Sequence, residues 1–301
     1  MVLPIYDDNP SGRVPVLTIL VIAVNVLIFV LVQPHGGTRE IEFTYRHATI
    51  PCEIQQAGPL TEAELFTASC EPREVYQDDR AAGEPLVFPH KNVWFSVLAS
   101  LFLHGGWIHL LGNMLFLWVF GNNIEERFGA IGFTLFYLTA GVAATAVQVL
   151  ADTSSTVPVI GASGAIAGVM GAYLVLFPRA RVLTWWPVFV ILVVYVPASV
   201  VLVLWFLMQF AIDPSSGVAW QAHVGGFAFG ALVAFAVRNR LRQLPDVPPR
   251  RPPRGPFHRV GPGPPPPAGG PFGPSNPWAA PTGPPPPPPP PGWPPPTAPP
   301  A

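Results

Sequence analysis

Residues 14–32 form an apolar run of 19 whose only polar side chains are Thr18 and Asn25. As a helix rising 1.5 Å per residue, the run reaches about 29 Å, the thickness of a bilayer's hydrocarbon core. Further apolar runs occupy residues 107–120, 131–150, 161–177, 184–210 and 220–237. Half of the 301 residues are hydrophobic and 11% are charged, a balance that suits a membrane protein. The expected fold class is therefore all-α: a polytopic bundle of six transmembrane helices. A cleaved signal peptide would want a shorter core, a basic leader and a small-x-small site. Here Asp7 and Asp8 precede the first run and Gln33-Pro34-His35 follows it, so the first helix is read as uncleaved.

Charge between the runs sets an orientation. Arg127 follows the second run, Arg179 and Arg181 the fourth, and Arg238, Arg240 and Arg242 the sixth, while residues 151–159 and 211–219 carry no base. Basic connections face the cytoplasm, which puts both termini there. Residues 1–13 are then a cytoplasmic N-terminus and 14–240 a membrane domain. Residues 241–301 are a proline- and glycine-rich cytoplasmic tail, too poor in apolar residues to bury a core and expected to be disordered. That tail serves as a solvated spacer or as a docking strip for a proline-recognising partner. The protein is expected in the plasma membrane. The arginine-rich tail carries no nucleic-acid-binding motif.

The segment 33–93, with ten acids against five bases, is a long extracytoplasmic loop or small subdomain, and Glu62, Glu64 and Leu65 mark a short helix within it. Both cysteines, Cys52 and Cys70, fall here. They are either two free thiols or a disulfide, and a disulfide requires the loop to lie outside the cytoplasm. No cofactor is implied, and no cluster reads as a metal site: residues 109–113 lack the glutamate and second histidine of a His-Glu-x-x-His helix.

Polar side chains inside a bilayer are costly and read first as a functional site. Ser163 opens the fourth run, His223 begins the sixth, and His109 and Asn113 lie one turn apart on the second. Gly164, Gly168 and Gly171 bare one face of the fourth helix, and Gly226 and Gly230 share a face with His223 on the sixth. If these small-residue faces pack, imidazole and hydroxyl meet, and a serine beside a histidine base is an activated nucleophile. His109 and Asn113 suit an oxyanion, while His104 braces the preceding loop. A structural histidine is the plain alternative for His109. Asp152 and Asp213 fall in extracytoplasmic connections, which argues for a Ser-His dyad whose histidine is oriented by packing or by neighbouring groups.

With these motifs the chain resembles the rhomboid family of intramembrane serine proteases over roughly residues 14–240. The motifs are His104-x4-His109-x3-Asn113, Gly121-x3-Glu125-x3-Gly129, Gly161-x-Ser163-Gly164 and Ala222-His223-x2-Gly226-x3-Gly230. The resemblance implies Ser163 as nucleophile and His223 as base. It implies an oxyanion hole from His109, Asn113 and the Ser163 amide, and substrates that are membrane-anchored proteins. Some members stack a tyrosine, four residues after the serine, on the catalytic ring; this chain has Ala167. Two other readings are a catalytically inactive member that binds or traffics membrane proteins, and a small transporter. Intact Ser163 and His223 speak against the first, and the absence of a convincing internal repeat against the second. The fifth run, with Pro187 and Pro197, is expected to be a kinked helix or a tilted, loosely held one, at which substrate enters laterally.

Overall fold

The computed structural model describes residues 3–9, 11–70, 85–188, 190–213 and 216–242. The tail beyond Arg242, with the expectations placed on it, lies outside the described residues.

Glycine decides which helices touch. Helix α7 (Ser163–Leu176) and helix α9 (Trp220–Arg242) are the most intimately packed pair. A Cβ on Gly226 would overlap the carbonyl oxygen of Gly164, one on Gly230 that of Gly168, and one on Gly171 that of Phe227. On its other side α7 meets helix α6 (Trp107–Ala151), where a Cβ on Gly164 or Gly168 would come within 2.6 Å of the Ala144 or Ala140 Cβ. Every residue of α7 from Gly164 to Tyr173 is buried, and no polar face is left on it.

Helix α6 is two arms. The only non-helical backbone inside it is Gly129, at φ 70° and ψ 168°. Residues 121–129, polar enough to read as a turn, continue the first arm up to that glycine, because their polar groups find distant partners. Glu125, 7% exposed, accepts hydrogen bonds from the Leu17 and Thr18 amides (2.9 and 2.7 Å) and from the Thr18 hydroxyl (2.8 Å). These amides open helix α1 (Val16–Leu27), continued by a π turn over Ile28–Val32; a carboxylate there satisfies orphan donors and faces the positive end of the helix dipole.

The all-α expectation needs correction. Strand β1 (Leu3–Asp7) pairs antiparallel with β2 (Arg181–Val188), and β2 with β3 (Val190–Pro197), in the order β1-β2-β3. The fifth apolar run is therefore not one helix. Its first half is rich in β-branched residues (Val188, Val190, Ile191, Val193, Val194, Val196) and carries Pro187, a composition that favours strand over helix. Only helix α8 (Ala198–Gln209) follows, immediately after Pro197. Its 12 residues reach about 18 Å, and both prolines precede it, so the expected proline-kinked helix is absent.

The inserted segment 33–93 contributes α2 (Gly37–His47), α3 (Pro51–Gln56), α4 (Glu62–Thr67) and the first residue of α5 (Val93–Ala99). Thr61 and Glu64 cap α4 reciprocally. Among the described residues, the core of this lobe is Ile50, Cys52 and Leu60, with Tyr45, Cys70 and Val87 packed against it. A disulfide joins Cys52 to Cys70 across 18 positions, and closing a loop of that size contributes about 3 kcal/mol. Lys91 and Glu53 form a buried ion pair at 2.5 Å, and burial pushes the lysine pKa down and the glutamate pKa up.

Among the described residues, two helices are long and apolar enough to cross a membrane, Trp107–Ala151 and Trp220–Leu241; Val16–Val32, Val93–Phe102, Ser163–Leu176 and Ala198–Gln209 are shorter apolar helices.

Two predictions follow from this packing. Replacing Gly230 by alanine drives a methyl into the Gly168 carbonyl and should lower the thermal midpoint of the purified protein; a midpoint equal to wild type would refute the contact. The second concerns Asp7, 4% exposed, which accepts from the Tyr173 hydroxyl (2.7 Å) and the Asn123 amide (2.6 Å). Burial is the dominant influence and raises its pKa from 3.8 to about 6. A carboxyl with a raised folded pKa favours the fold when protonated, so stability falls as pH rises from about 4 to about 6, by on the order of 3 kcal/mol. Asp7→Asn should remove this decline, so the variant gains midpoint over wild type between pH 4 and pH 6.5; a constant difference across that range would show that Asp7 is not the titrating group.

Candidate active site

The helix ends converge on Ser163. It is the first residue of α7, where the leading backbone amides have no intrahelical acceptor. His223 lies in the first turn of α9, and the glycine contacts between the two helices bring its Nε2 to 2.9 Å from the Ser163 Oγ. Both side chains are half-buried.

The first turns of α6 supply the opposite wall. His109 Nδ1 accepts a hydrogen bond from the Gly105 amide at 3.4 Å, so in the neutral ring the proton resides on Nε2. That edge of the ring lies against Gly161: a Cβ there would stand 2.9 Å from His109 Nε2 and Cε1, and 3.4 Å from Ser163 Oγ. Gly161 also has φ +122°, so both its backbone and its neighbour require glycine. Asn113, one turn beyond His109, is 9% exposed, and its Nδ2 has no hydrogen-bond partner among the described residues. A buried amide donor without an acceptor is costly unless something else visits it. Ser163, His223, His109 and Asn113 all line one cavity of about 950 Å³, whose apolar walls include Phe116, Met170 and Trp205. A serine beside a base, with free donors across an apolar cavity, is equipped for acyl transfer.

His104 stays outside this constellation. Its backbone is clamped by Gln33, which donates to its carbonyl (3.0 Å) and accepts from its amide (2.9 Å), while its ring meets His109 edge-on at 5.2 Å. The glycines at 164, 226 and 230 lie in the helix contacts, and Glu125 lies at the start of α1, away from the cavity. Cys52, Cys70 and Glu64 are the one close grouping of metal-type ligands among the described residues, but both sulfurs are in the disulfide and offer no thiolate.

Three further residues contribute to the site without a motif to mark them. Gln209, at the end of α8, places its Oε1 2.7 Å from His223 Nδ1; its signal was an amide inside an otherwise apolar run. Ser100 accepts from the Gly161 amide at 2.9 Å through its carbonyl, and its hydroxyl accepts from the Thr49 amide at 2.7 Å. Thr49 in turn accepts from Val159, and Ser155 from Cys52. The disulfide lobe thus holds the loop that leads to Ser163. No local pattern marks these bonds, which join segments 51 or more positions apart.

Comparison with known proteins locates this site in a described domain. The model of the rhomboid domain matches residues 91–240, which include every residue of the cavity described above. Over 144 residues the chain is 35% identical to RHOMBOID-like protein 4 of Arabidopsis thaliana, covering 48% of this chain and 34% of that one. It is 30% identical over 160 residues to Rhomboid protein 1, mitochondrial, of Saccharomyces cerevisiae, covering 49% and 43%. It is 31% identical over 160 residues to Rhomboid protease GluP of Bacillus subtilis, covering 53% and 24%. The chain spans less than half the length of each of these relatives.

Proposed function

The chain belongs to the rhomboid family, and from that premise we propose that it is an intramembrane serine endopeptidase that cuts membrane-anchored proteins with the dyad Ser163 and His223. The observation that carries the reading is the 2.9 Å contact between Ser163 Oγ and His223 Nε2, in a cavity that also holds the unpartnered amide donor of Asn113.

In this reading residues 14–240 are a membrane domain of six helical spans, with the lobe 33–93 outside the cytoplasm and both termini within it, in the plasma membrane. The outward faces of the helices support immersion in lipid: Ile19, Leu31, Ile108, Ile131, Leu150 and Leu232 are exposed, a distribution of large apolar side chains that water does not favour. The tail 241–301 is a spacer or a strip for a proline-recognising partner. The substrate peptide enters the cavity beside α8.

His223 Nε2 takes the proton of Ser163 as Oγ bonds to the carbonyl carbon of the scissile peptide. Charge moves to the carbonyl oxygen, where the His109 Nε2–H, the Asn113 side-chain amide and the Ser163 backbone amide donate to it. Collapse breaks the C–N bond, and His223 returns its proton to the leaving amine. Water, deprotonated by the same nitrogen, then hydrolyses the acyl-enzyme.

A fluorophosphonate should give one adduct, on Ser163, in detergent-solubilised protein. Ser163→Ala should abolish it and His223→Ala should nearly do so. Asn113→Ala should slow cleavage of a model transmembrane substrate by about 10²-fold, since two donors remain. Labelling that persists unchanged in His223→Ala would remove the dyad. A folded wild type that takes no label would point to a non-enzymatic member of the family that binds or traffics membrane proteins.

A further inference from the structure

A dyad without a carboxylate leaves one question of chemistry open: which nitrogen of His223 holds the proton. Only a ring protonated on Nδ1 presents a lone pair on Nε2 to the serine. The sequence offers no aspartate for the purpose, and Ala167 supplies no stacking ring. The structure fills both roles from α8.

Gln209 is 4% exposed and has two partners. Its Nε2 donates to the Trp205 carbonyl at 2.8 Å, one turn back along α8, and its Oε1 stands 2.7 Å from His223 Nδ1. A carbonyl oxygen can only accept, so the NH₂ end of the amide must face Trp205 and the oxygen must face the imidazole. That oxygen in turn can only accept, so Nδ1 must carry the hydrogen. The opposite amide orientation would set two acceptors against each other at the Trp205 end. It would also put the ring proton on Nε2, where it could donate to Ser163 but could not take its proton.

We propose that Gln209 is the positioning residue of the catalytic pair: through its side-chain oxygen it fixes the Nδ1–H tautomer of His223 and aims Nε2 at Ser163. This role rests on the protease reading given above. Trp205 is the anchor for both parts of the arrangement. Its carbonyl orients the amide, and its indole lies 5.8 Å from the imidazole at 41°, itself stacked on Phe227 at 6.1 Å. An imidazolium formed during turnover therefore has an indole beside it within cation–π range. The site thus replaces the carboxylate of a soluble triad by a neutral amide, and the tyrosine stack by an indole from a different helix.

Three readouts test this. Nitrogen NMR of ¹⁵N-histidine-labelled Ser163→Ala protein in detergent at pH 8 should show His223 protonated on Nδ1, whether or not the protein is an enzyme; an Nε2-protonated ring would overturn the assignment. Gln209→Leu, close in size and unable to accept, should lower kcat on a transmembrane substrate by 10²-fold or more with little change in KM, since a wrong tautomer in an intact site costs up to about 10⁴-fold. Gln209→Glu keeps an acceptor and adds charge, so it should retain cleavage and move the acid limb of the kcat/KM profile to higher pH. Among the described residues, His109 acts on the ring, with His104 behind it, and neither changes in these variants. Wild-type kcat in Gln209→Leu, or an unmoved acid limb in Gln209→Glu, would overturn the proposal. Failure of wild type to take fluorophosphonate while the NMR shows Nδ1–H would instead sink the protease reading and leave the amide's hold on the ring intact.

Discussion

The approach of α7 to α9 is the contact on which everything else depends. Helices whose facing positions lack side chains can bring their backbones together, and association in lipid relies on such van der Waals contact because burying apolar surface gains little there. Here the carbonyls of Gly164 and Gly168 occupy the space a Cβ would take on Gly226 and Gly230. The consequence for chemistry is positional. With the two helices in register at the glycines, the first residue of one and the fourth of the other are within hydrogen-bonding distance, and no flexible loop intervenes between hydroxyl and imidazole. Groups held to within a fraction of an ångström are what catalysis by proximity requires.

Much of that arrangement can be read from spacing, because helical periodicity converts the glycines at 164, 168 and 171 into a stripe on α7 and puts His223 on one face of α9 with Gly226 and Gly230. The same arithmetic puts His109 and Asn113 on one face. Periodicity says nothing about partners. The polar stretch around Asn123 and Glu125 resembles a turn when read locally; its helix persists because Asp7 and the start of α1 take up those side chains. The run at 184–210 is apolar enough to be a span, but its first half folds as a hairpin of β2 and β3, and β2 pairs with an N-terminal strand some 180 positions away, which hydropathy does not register. Gln209 was visible as a polar residue in an apolar run, yet its meaning depends on His223 being 14 positions further on and across a helix boundary.

The lobe between residues 33 and 93 shows how an insertion can serve a site it does not line. Among the described residues its core is Ile50, Cys52 and Leu60, and the disulfide sits in that core. What the lobe stabilises is the segment from Ser155 to Gly161. Cys52 and Thr49 bond to one part of that segment, and Ser100, itself bonded to Thr49, bonds to the rest. Gly161 can then keep a backbone conformation that favours glycine, against the His109 ring.

The glutamine beneath His223 has a bearing on how such a chain reaches its membrane. A helix enters the bilayer before its neighbours have packed around it, so each side chain meets hydrocarbon alone. An aspartate costs up to about 2.5–3.5 kcal/mol at that stage, the figure for the middle of a span, and α8, at 12 residues with Gln209 at its end, has little apolar length with which to offset it. An amide that already donates to its own helix, as Gln209 does to the Trp205 carbonyl, enters with one of its two polar ends satisfied and no charge to desolvate. In the proposed reaction, charge separation is thereby deferred to turnover, when the anion and the imidazolium arise together, a few ångströms apart, and disappear together.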